Sequence, residues 1–240
     1  MDNFKLFLKN NKQLWWLLFI PIYLATFFIV EKVVPTEGYW VSYVPEDDKI
    51  PFIEYFIVFY YVWYVMLVAA GLMSITKEPK VFVRYMCTLC VAFMGTMVFS
   101  LLFPNGQDLR PTTFARDNVF TDLCKMIYAS DTNTNVLPSM HVMGSIACVF
   151  ACFDSKRCPW WGKTLMTVSA VLVCASTVFV KQHSILDFYV ALPVMAVIGA
   201  AVYGKRIYVS VQAKRKMRAE LKAERERILR ENKESESSQI

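Results

Sequence analysis

Residues 81–103 read VFVRYMCTLCVAFMGTMVFSLLF, and this stretch decides the class of fold. Its only charged side chain is that of Arg84. At about 1.5 Å per residue, a helix of this length crosses the roughly 30 Å hydrocarbon core of a bilayer. Five further apolar runs have a similar character: residues 14–34, 51–73, 137–153, 164–181 and 185–203. The sequence therefore predicts an all-α integral membrane protein with six transmembrane helices in one bundle.

The composition supports a membrane protein and excludes two other classes. Hydrophobic residues make up 56% of the 240 residues and charged residues 19%, against about 25% in ordinary globular proteins. Aromatic residues make up 15%, too many for an intrinsically disordered chain. The basic excess is concentrated in residues 205–240, which hold 11 Lys or Arg and 6 Glu. A nucleic-acid-binding domain would instead spread basic residues over a folded face, so we expect no nucleic-acid partner.

The distribution of basic residues predicts the orientation of the spans. With six spans, one face of the membrane receives 19 Lys and Arg and the other receives 4. Because basic residues are retained on the cytoplasmic side, both termini are predicted to be cytoplasmic. The cell membrane is the predicted location of the protein. The first run is too long for a signal-peptide core and is read as an uncleaved span. Residues 1–204 then form the membrane domain.

Residues 205–240 are predicted to form a charged cytoplasmic tail, partly helical or disordered. The first part of the tail is basic enough for electrostatic contact with anionic lipid headgroups, which is worth about 1 kcal/mol for each basic residue near the surface. A tail that is simply solvated is the alternative interpretation.

Ionisable residues at the ends of the predicted spans are the candidates for chemistry. The only two histidines, His141 and His183, open the fourth run and follow the fifth. Arg110 lies in the loop after the third run, and Asp187 is the third residue of the sixth. Ionisable groups at such depths are costly and commonly functional. On the predicted topology all of them belong to the external face.

Their spacing suits transfer of a phosphoryl group. His183 and Asp187 are four residues apart, so on a helix both would lie on one face and the carboxylate would orient the imidazole. His183 would then attack phosphorus, and His141 would protonate the leaving oxygen. The guanidinium of Arg110 suits binding of phosphate oxygens.

The start of the fourth run adds further groups for an anion. Ser139 contributes a hydroxyl, and Pro138 suits the first turn of a helix, where free backbone N–H groups favour a negative charge. Three alternatives remain open from the residues alone. Each histidine, taken singly, is explained by a hydrogen bond to a neighbouring helix. Zinc binding would need more ligands than two histidines, and a transporter would place its polar groups near the bilayer midplane.

At these residues the chain resembles the type 2 phosphatidic acid phosphatase superfamily. Pro138-Ser-Met-His141 is similar to its second motif, Pro-Ser-Gly-His. Ser176-Thr-x5-His183-x3-Asp187 is similar to its third, Ser-Arg-x5-His-x3-Asp, and Arg110-Pro111 is similar to the end of its first, Lys-x6-Arg-Pro. The resemblance covers roughly residues 50–204, and three short motifs in the family order are more specific together than any one alone.

The resemblance implies an activity and a role for each residue. His183 would be the nucleophile that becomes a phosphohistidine, with Asp187 as its partner. His141 would be the acid for the leaving lipid alcohol and then the base for water. The phosphate would be bound by Arg110, Ser139 and the backbone near Met140. The family's mechanism implies no metal and no cofactor, and the substrate would be a lipid phosphate in the bilayer.

The chain departs from the family pattern at two phosphate-binding cations. Phe103 stands in place of the lysine, and Thr177 in place of the arginine, while Met140 replaces the glycine. Lys181 and Arg116 are candidate replacements by position. A lipid phosphate phosphatase is the first expectation. A catalytically inactive relative that binds lipid or a partner protein is another.

A lipid headgroup phosphotransferase is the alternative within the same superfamily. The sphingomyelin synthases and the fungal inositol phosphorylceramide synthases also lack these cations, and residues 50–56, IPFIEYF, resemble the Pro-Phe segment of those transferases. A phosphodiester carries one negative charge rather than two, so a site with fewer cations suits it.

Three other features are expected to be structural. The cysteines within spans behave as small hydrophobic residues, and Cys124 alone lies in an external loop, so no external disulfide is expected. The aromatic residues of the second run are expected to face lipid, the interface or neighbouring helices. Residues 120–128 are predicted to form a short helix on the external surface.

Overall fold

The computed structural model of the protein describes residues 11–237. They are mainly helical: α1 (Phe19–Val33), α2 (Ile57–Ser74), α3 (Pro79–Leu102), α4 (Val119–Ser130), α5 (Met140–Asp154), α6 (Trp160–Phe179) and α7 (Ile185–Ser237). Short 3₁₀ helices at Lys12–Leu18, Pro45–Lys49 and Glu54–Phe56 precede α1 or lie between α1 and α2. Two strands of two residues each complete the described elements: β1 (Trp40–Val41) and β2 (Asn105–Gly106).

In the described part of the chain, five helical segments are long and apolar enough to cross a membrane: Lys12–Val33, Glu54–Ser74, Pro79–Leu102, Trp160–Phe179 and Ile185–Arg218. Length and composition thus identify an α-helical, multi-pass membrane protein, as the apolar runs predicted. The fourth predicted span differs, because α5 has only 15 residues and a length of about 22 Å. Its predicted first residues, 137–139, are not helical, since the helix begins after Ser139.

The outer surface of these helices is strongly apolar. Leu102 is 81% exposed, Val197 71% and Leu72 68%. A water-soluble protein rarely exposes contiguous apolar surface on this scale, because water would drive it to aggregate. The same side chains are satisfied by lipid tails, which fits the spans identified by length.

The short helix α5 packs at the centre, against α2, α3 and α6. Small residues on α5, including Gly144 and Ala147, allow the neighbouring helices to approach closely. A β-carbon added to Gly144 would lie 2.8 Å from Nε1 of Trp63, closer than van der Waals contact permits. Most of α5 is buried, and the face that carries Ile146, Val149 and Phe153 is only partly covered.

Two connections meet at the end of the bundle where α5 begins. The strands β1 and β2 pair in parallel, with Trp40 opposite Asn105 and Val41 opposite Gly106. This pairing joins the loop after α1 to the loop after α3. The predicted surface helix 120–128 is present as α4, where the side chain of Asn118 accepts hydrogen bonds from the first free backbone N–H groups.

The chain divides into two compact units, residues 1–199 and 200–240. The described part of the second unit is the continuation of α7, helical as far as Ser237, so this part of the tail is a helix. On its surface Lys216 Nζ lies 4.0 Å from Glu220 Oε1, one turn further along. Two of the three basic residues predicted for the N-terminal cytoplasmic segment, Lys5 and Lys9, lie outside the described residues, as do residues 238–240 of the tail.

Candidate functional site

The pair formed by His183 and Asp187 lies where α6 turns into α7. His183 Nδ1 is 3.0 Å from Asp187 Oδ2, and both residues are buried. The expectation of a shared helical face was wrong, because α7 begins at Ile185 and His183 precedes it. The turn of residues 180–184 brings the ring to the carboxylate instead, with Lys181 in the left-handed region at φ 53°.

This contact assigns the roles of the two ring nitrogens of His183. A carboxylate accepts a hydrogen bond from Nδ1–H, which leaves the lone pair on Nε2. The backbone supports the same arrangement, because the amides of Gln182 and His183 both donate to the carbonyl of Thr177, at 2.9 and 3.1 Å. Thr177 therefore holds the turn through its backbone, at the position where the resembling family has arginine.

His141, the second residue of α5, lies beside His183 with a ring-centroid separation of 5.6 Å. The rings of Tyr60 and Trp63 pack against it on α2, each with a centroid distance of 4.3 Å. Neither nitrogen of His141 has a hydrogen-bond partner among the described residues, although the side chain is buried. Two aromatic rings thus fix the plane of an imidazole whose polar atoms remain available to a ligand.

Ser139 caps the helix that carries His141. Its hydroxyl accepts a hydrogen bond from the amide of Val142 at 3.4 Å, and its amide donates to the carbonyl of Asp187 at 3.4 Å. Ser139 therefore ties the start of α5 to the start of α7. Pro138 precedes this cap and is outside the first turn, contrary to expectation, because Ser139 takes the N-cap position and Met140 is the first helical residue.

Arg110 is held mainly by backbone carbonyls. Its Nη1 donates to the carbonyls of Tyr128 and Asp131, at 3.3 and 3.0 Å, and its Nη2 donates to that of Thr132 at 2.7 Å. The guanidinium also lies 4.7 Å from the centroid of the Tyr128 ring. Nε is buried and has no partner among the described residues. Burial lowers the pKa of Arg110, but an arginine remains charged in proteins.

One small cavity brings several of these groups together. Its lining includes Arg110, Met140, His141 and His183, and its volume is about 20 Å³, enough for one water molecule. Four of the predicted site residues thus surround one point. Ser139 and Asp187 lie behind this wall, where they hold the helix start and the His183 ring.

Two carboxylates that the sequence interpretation left out of the site also line this cavity. Glu31, from the end of α1, accepts hydrogen bonds from Asn135 Nδ2 at 2.6 Å and from the amide of Thr132 at 3.3 Å. Desolvation raises the pKa of Asp131 to about 6, and the charge of Glu31 adds to this effect. The lining of the cavity thus sets two carboxyl groups against one guanidinium, an arrangement that disfavours a doubly charged anion.

The two cations proposed as replacements lie elsewhere. Lys181 Nζ donates to the carbonyl of Asp47 at 2.9 Å and is not part of the cavity lining. Arg116 binds both carboxylate oxygens of Glu54, at 2.6 and 2.9 Å. This geometry gives no support to a phosphate contact by either side chain in the arrangement described.

Sequence reasoning left Glu31, Asp131, Tyr60 and Trp63 out of the site. Of these, Glu31 offered the clearest signal. It is an acidic residue inside the first predicted span, a placement that is costly unless the group is paired or functional. Tyr60 and Trp63 were two of many aromatic residues in the second run, and nothing in the pattern distinguished them. Among the side chains that the structure describes, no group of three or more His, Cys, Asp or Glu has the arrangement of a metal site.

Comparison of the chain with protein-family models, with curated proteins and with solved structures finds no match.

Proposed function

We propose that the chain is a membrane enzyme that transfers the phosphoryl group of a lipid through a phosphohistidine, as the type 2 phosphatidic acid phosphatases do. The observation that carries the proposal is the shared cavity of His183, His141 and Arg110, with two imidazoles 5.6 Å apart. The carboxylate of Asp187 on the far side of His183 is the orienting group that such a nucleophile needs.

The reaction follows from the positions of the ring nitrogens. Nε2 of His183 attacks phosphorus while the bond to the lipid oxygen breaks, and His141 gives its proton to that oxygen. The guanidinium of Arg110 holds the charge of the phosphoryl oxygens. In the second step His141 takes a proton from water, the resulting hydroxide attacks the phosphohistidine, and phosphate leaves with His183 restored.

The proposed topology has six spans, with α5 as the short fourth. The site residues follow the C-terminal ends of α3 and α6 or lie near the N-terminal ends of α5 and α7. In a bundle of alternating direction these ends would share one side of the membrane, which supports a site on a single face. The excess of basic residues in the other loops and the tail supports an external site and cytoplasmic termini. The cell membrane is the proposed location, with the basic tail close to anionic lipid.

A second candidate is a lipid headgroup phosphotransferase, in which a lipid alcohol replaces water as the acceptor. Glu31 and Asp131 favour this candidate, because their charges oppose a phosphate dianion more strongly than a phosphodiester monoanion. The two absent cations, at Phe103 and Thr177, act in the same direction.

The experiment is a substrate panel with the purified protein in detergent and in the presence of EDTA. We expect release of inorganic phosphate from a short-chain lipid phosphate and an acid-labile, base-stable label on the protein from a ³²P-labelled substrate. Addition of diacylglycerol or ceramide to a phosphodiester substrate would give a new phospholipid if the transferase candidate is correct.

Absence of both product and labelled protein across the panel would contradict enzymatic activity and leave an inactive lipid-binding relative. A transporter would instead move the lipid across vesicles without breaking an ester bond. The two assays are independent, since one measures released phosphate and the other measures how the lipid is distributed between the two leaflets.

Asp131→Asn is expected to strengthen competitive inhibition by inorganic phosphate about three- to tenfold at pH 7.5, and to have little effect at pH 5. Because the pKa of Asp131 is raised to about 6, its carboxylate is charged at the higher pH and mostly protonated at the lower one. Removal of one negative charge beside the cavity is worth about 1 kcal/mol for a bound anion. The measurement is the ratio of inhibition constants, wild type to variant, at each pH.

Asp122→Asn provides the matched control for this prediction. Asp122 is an exposed acid on α4, the short helix that ends one residue before Asp131, and its partner is Lys125 at 3.0 Å. It does not line the cavity, so its removal should leave the ratio unchanged. An equal ratio for Asp131→Asn at both pH values would show that this carboxylate does not act on a bound anion.

A further inference from the structure

The loop between α1 and α2 reaches the candidate site from a distant part of the sequence. Its strand β1 pairs with β2, and the amide of the next residue, Ser42, donates to the carbonyl of Gly106 at 2.7 Å. The backbone of Ser42 is therefore fixed by the short sheet. Its side chain is completely buried, as is that of Asp187.

The hydroxyl of Ser42 donates a hydrogen bond to Oδ1 of Asp187. The other oxygen, Oδ2, receives hydrogen bonds from Nδ1 of His183 at 3.0 Å and from the amide of Ser184 at 3.1 Å. Within the described residues, Ser42 is the one donor to Oδ1. The two sets of donors lie on opposite oxygens and so determine the rotation of the carboxylate about its Cβ–Cγ bond.

The same loop also holds the backbone on which this pair depends. Oδ1 of Asp47 accepts from the amide of Ile185 at 2.9 Å, and Oδ2 accepts from the hydroxyl of Ser184 at 2.6 Å. The carbonyl of Asp47 accepts from Nζ of Lys181 at 2.9 Å. Asp47 thus binds both ends of the turn that presents His183, and it satisfies a free N–H group at the start of α7.

We infer that Ser42 is a positioning residue for the nucleophilic histidine, acting through Asp187, and that the loop bearing Ser42 and Asp47 belongs to the catalytic assembly. This inference rests on the proposed function. The hydroxyl of Ser42 holds Oδ2 of Asp187 toward Nδ1 of His183, which keeps the proton on Nδ1 and the lone pair on Nε2. Without the hydroxyl, Oδ1 is a buried acceptor with no donor, and the carboxylate rotates to find one.

The test is a double-mutant cycle with the purified full chain and a short-chain lipid phosphate. Ser42→Ala should lower kcat about 10- to 100-fold and leave KM nearly unchanged, because the hydroxyl does not touch the substrate. The same substitution in an Asp187→Asn background should cause no further loss, because the group through which Ser42 acts has already been altered. A purely structural effect would lower activity by the same factor in both backgrounds.

Ser74→Ala is the matched control. Ser74 is another completely buried serine, near the end of α2, and its hydroxyl donates to the carbonyl of Ala70 at 3.0 Å. This variant should retain wild-type kcat in both backgrounds. Ser42→Cys serves as a second variant if alanine lowers the melting temperature, since its thiol fills the space and donates only weakly.

The outcomes separate the inference from the proposed function. A wild-type protein with no phosphoryl transfer would overturn both. An active wild-type protein in which Ser42→Ala and Ser42→Cys keep full kcat, or in which the loss repeats undiminished beside Asp187→Asn, would overturn the positioning role of Ser42 alone.

Discussion

Replacement of His183 with alanine is expected to abolish turnover, with a loss of at least about 10⁴-fold in kcat, and to remove the phosphoenzyme completely. No other described side chain has a ring nitrogen oriented into the cavity by a carboxylate. The measurement combines phosphate release with retention of ³²P on the protein after denaturation in base.

His183→Gln is the control that separates chemistry from folding. The amide of glutamine donates a hydrogen bond to Asp187 but offers no nucleophilic nitrogen, so this variant should fold like the wild type and remain inactive. Turnover above a few per cent in either variant would exclude a phosphohistidine at this position. If the alanine variant still carried the label, another residue would have to be the nucleophile.

Replacement of His141 with alanine is expected to lower kcat for a lipid phosphate about 10²- to 10⁴-fold, the usual contribution of a general acid or base. The loss should depend on the leaving group. A substrate with an activated phenolate leaves without a proton, so formation of the phosphohistidine from p-nitrophenyl phosphate should be much less impaired.

The same variant should accumulate phosphohistidine, because the base that activates water is missing in the second step. Rapid-quench measurements with both substrates therefore distinguish the acid role from the base role. An equal loss with both substrates, together with no accumulation, would show that His141 holds the site together and does not transfer a proton. A structural role of this kind would act through the packing of the His141 ring against Tyr60 and Trp63.

Five of the six apolar runs correspond to helices long and apolar enough to cross a membrane, because a bilayer requires long uninterrupted helices and the sequence shows them directly. The fourth run was the exception. A helix surrounded by its neighbours needs apolar residues whatever its length, so the pattern of residues 137–153 did not reveal that α5 is only 15 residues long.

Some residues of the candidate site could be predicted from the sequence and others could not, and the physical reason differs from residue to residue. Arg110, His141 and His183 stood out because ionisable side chains are rare in such a chain, and the structure brings them to one cavity. Lys181 was predicted to bind phosphate because it is close to His183 in sequence. Its backbone lies in the left-handed region, and its side chain binds the carbonyl of Asp47 instead. A one-dimensional pattern contains no information on that direction.

Ser42 could not have been recognised as a neighbour of Asp187, because 145 residues separate them in the chain. Their contact depends on β1 and β2, two strands of two residues each, which are too short for any periodicity to be detected. The polar loops between spans are where sequence interpretation stopped and where the structure adds most.

The contacts of Glu31, Ser42 and Asp47 bear on how the protein is divided for laboratory work. The recognisable motifs begin near residue 50, so a shortened chain designed from motifs alone would start there. Such a fragment would lack the side chains that bind Oδ1 of Asp187 and the amide of Ile185, and each lost hydrogen bond to a charged group is worth about 1.5–3 kcal/mol. Fragments intended for crystallisation or for complementation by two separate pieces should therefore retain the first helix and the loop that follows it.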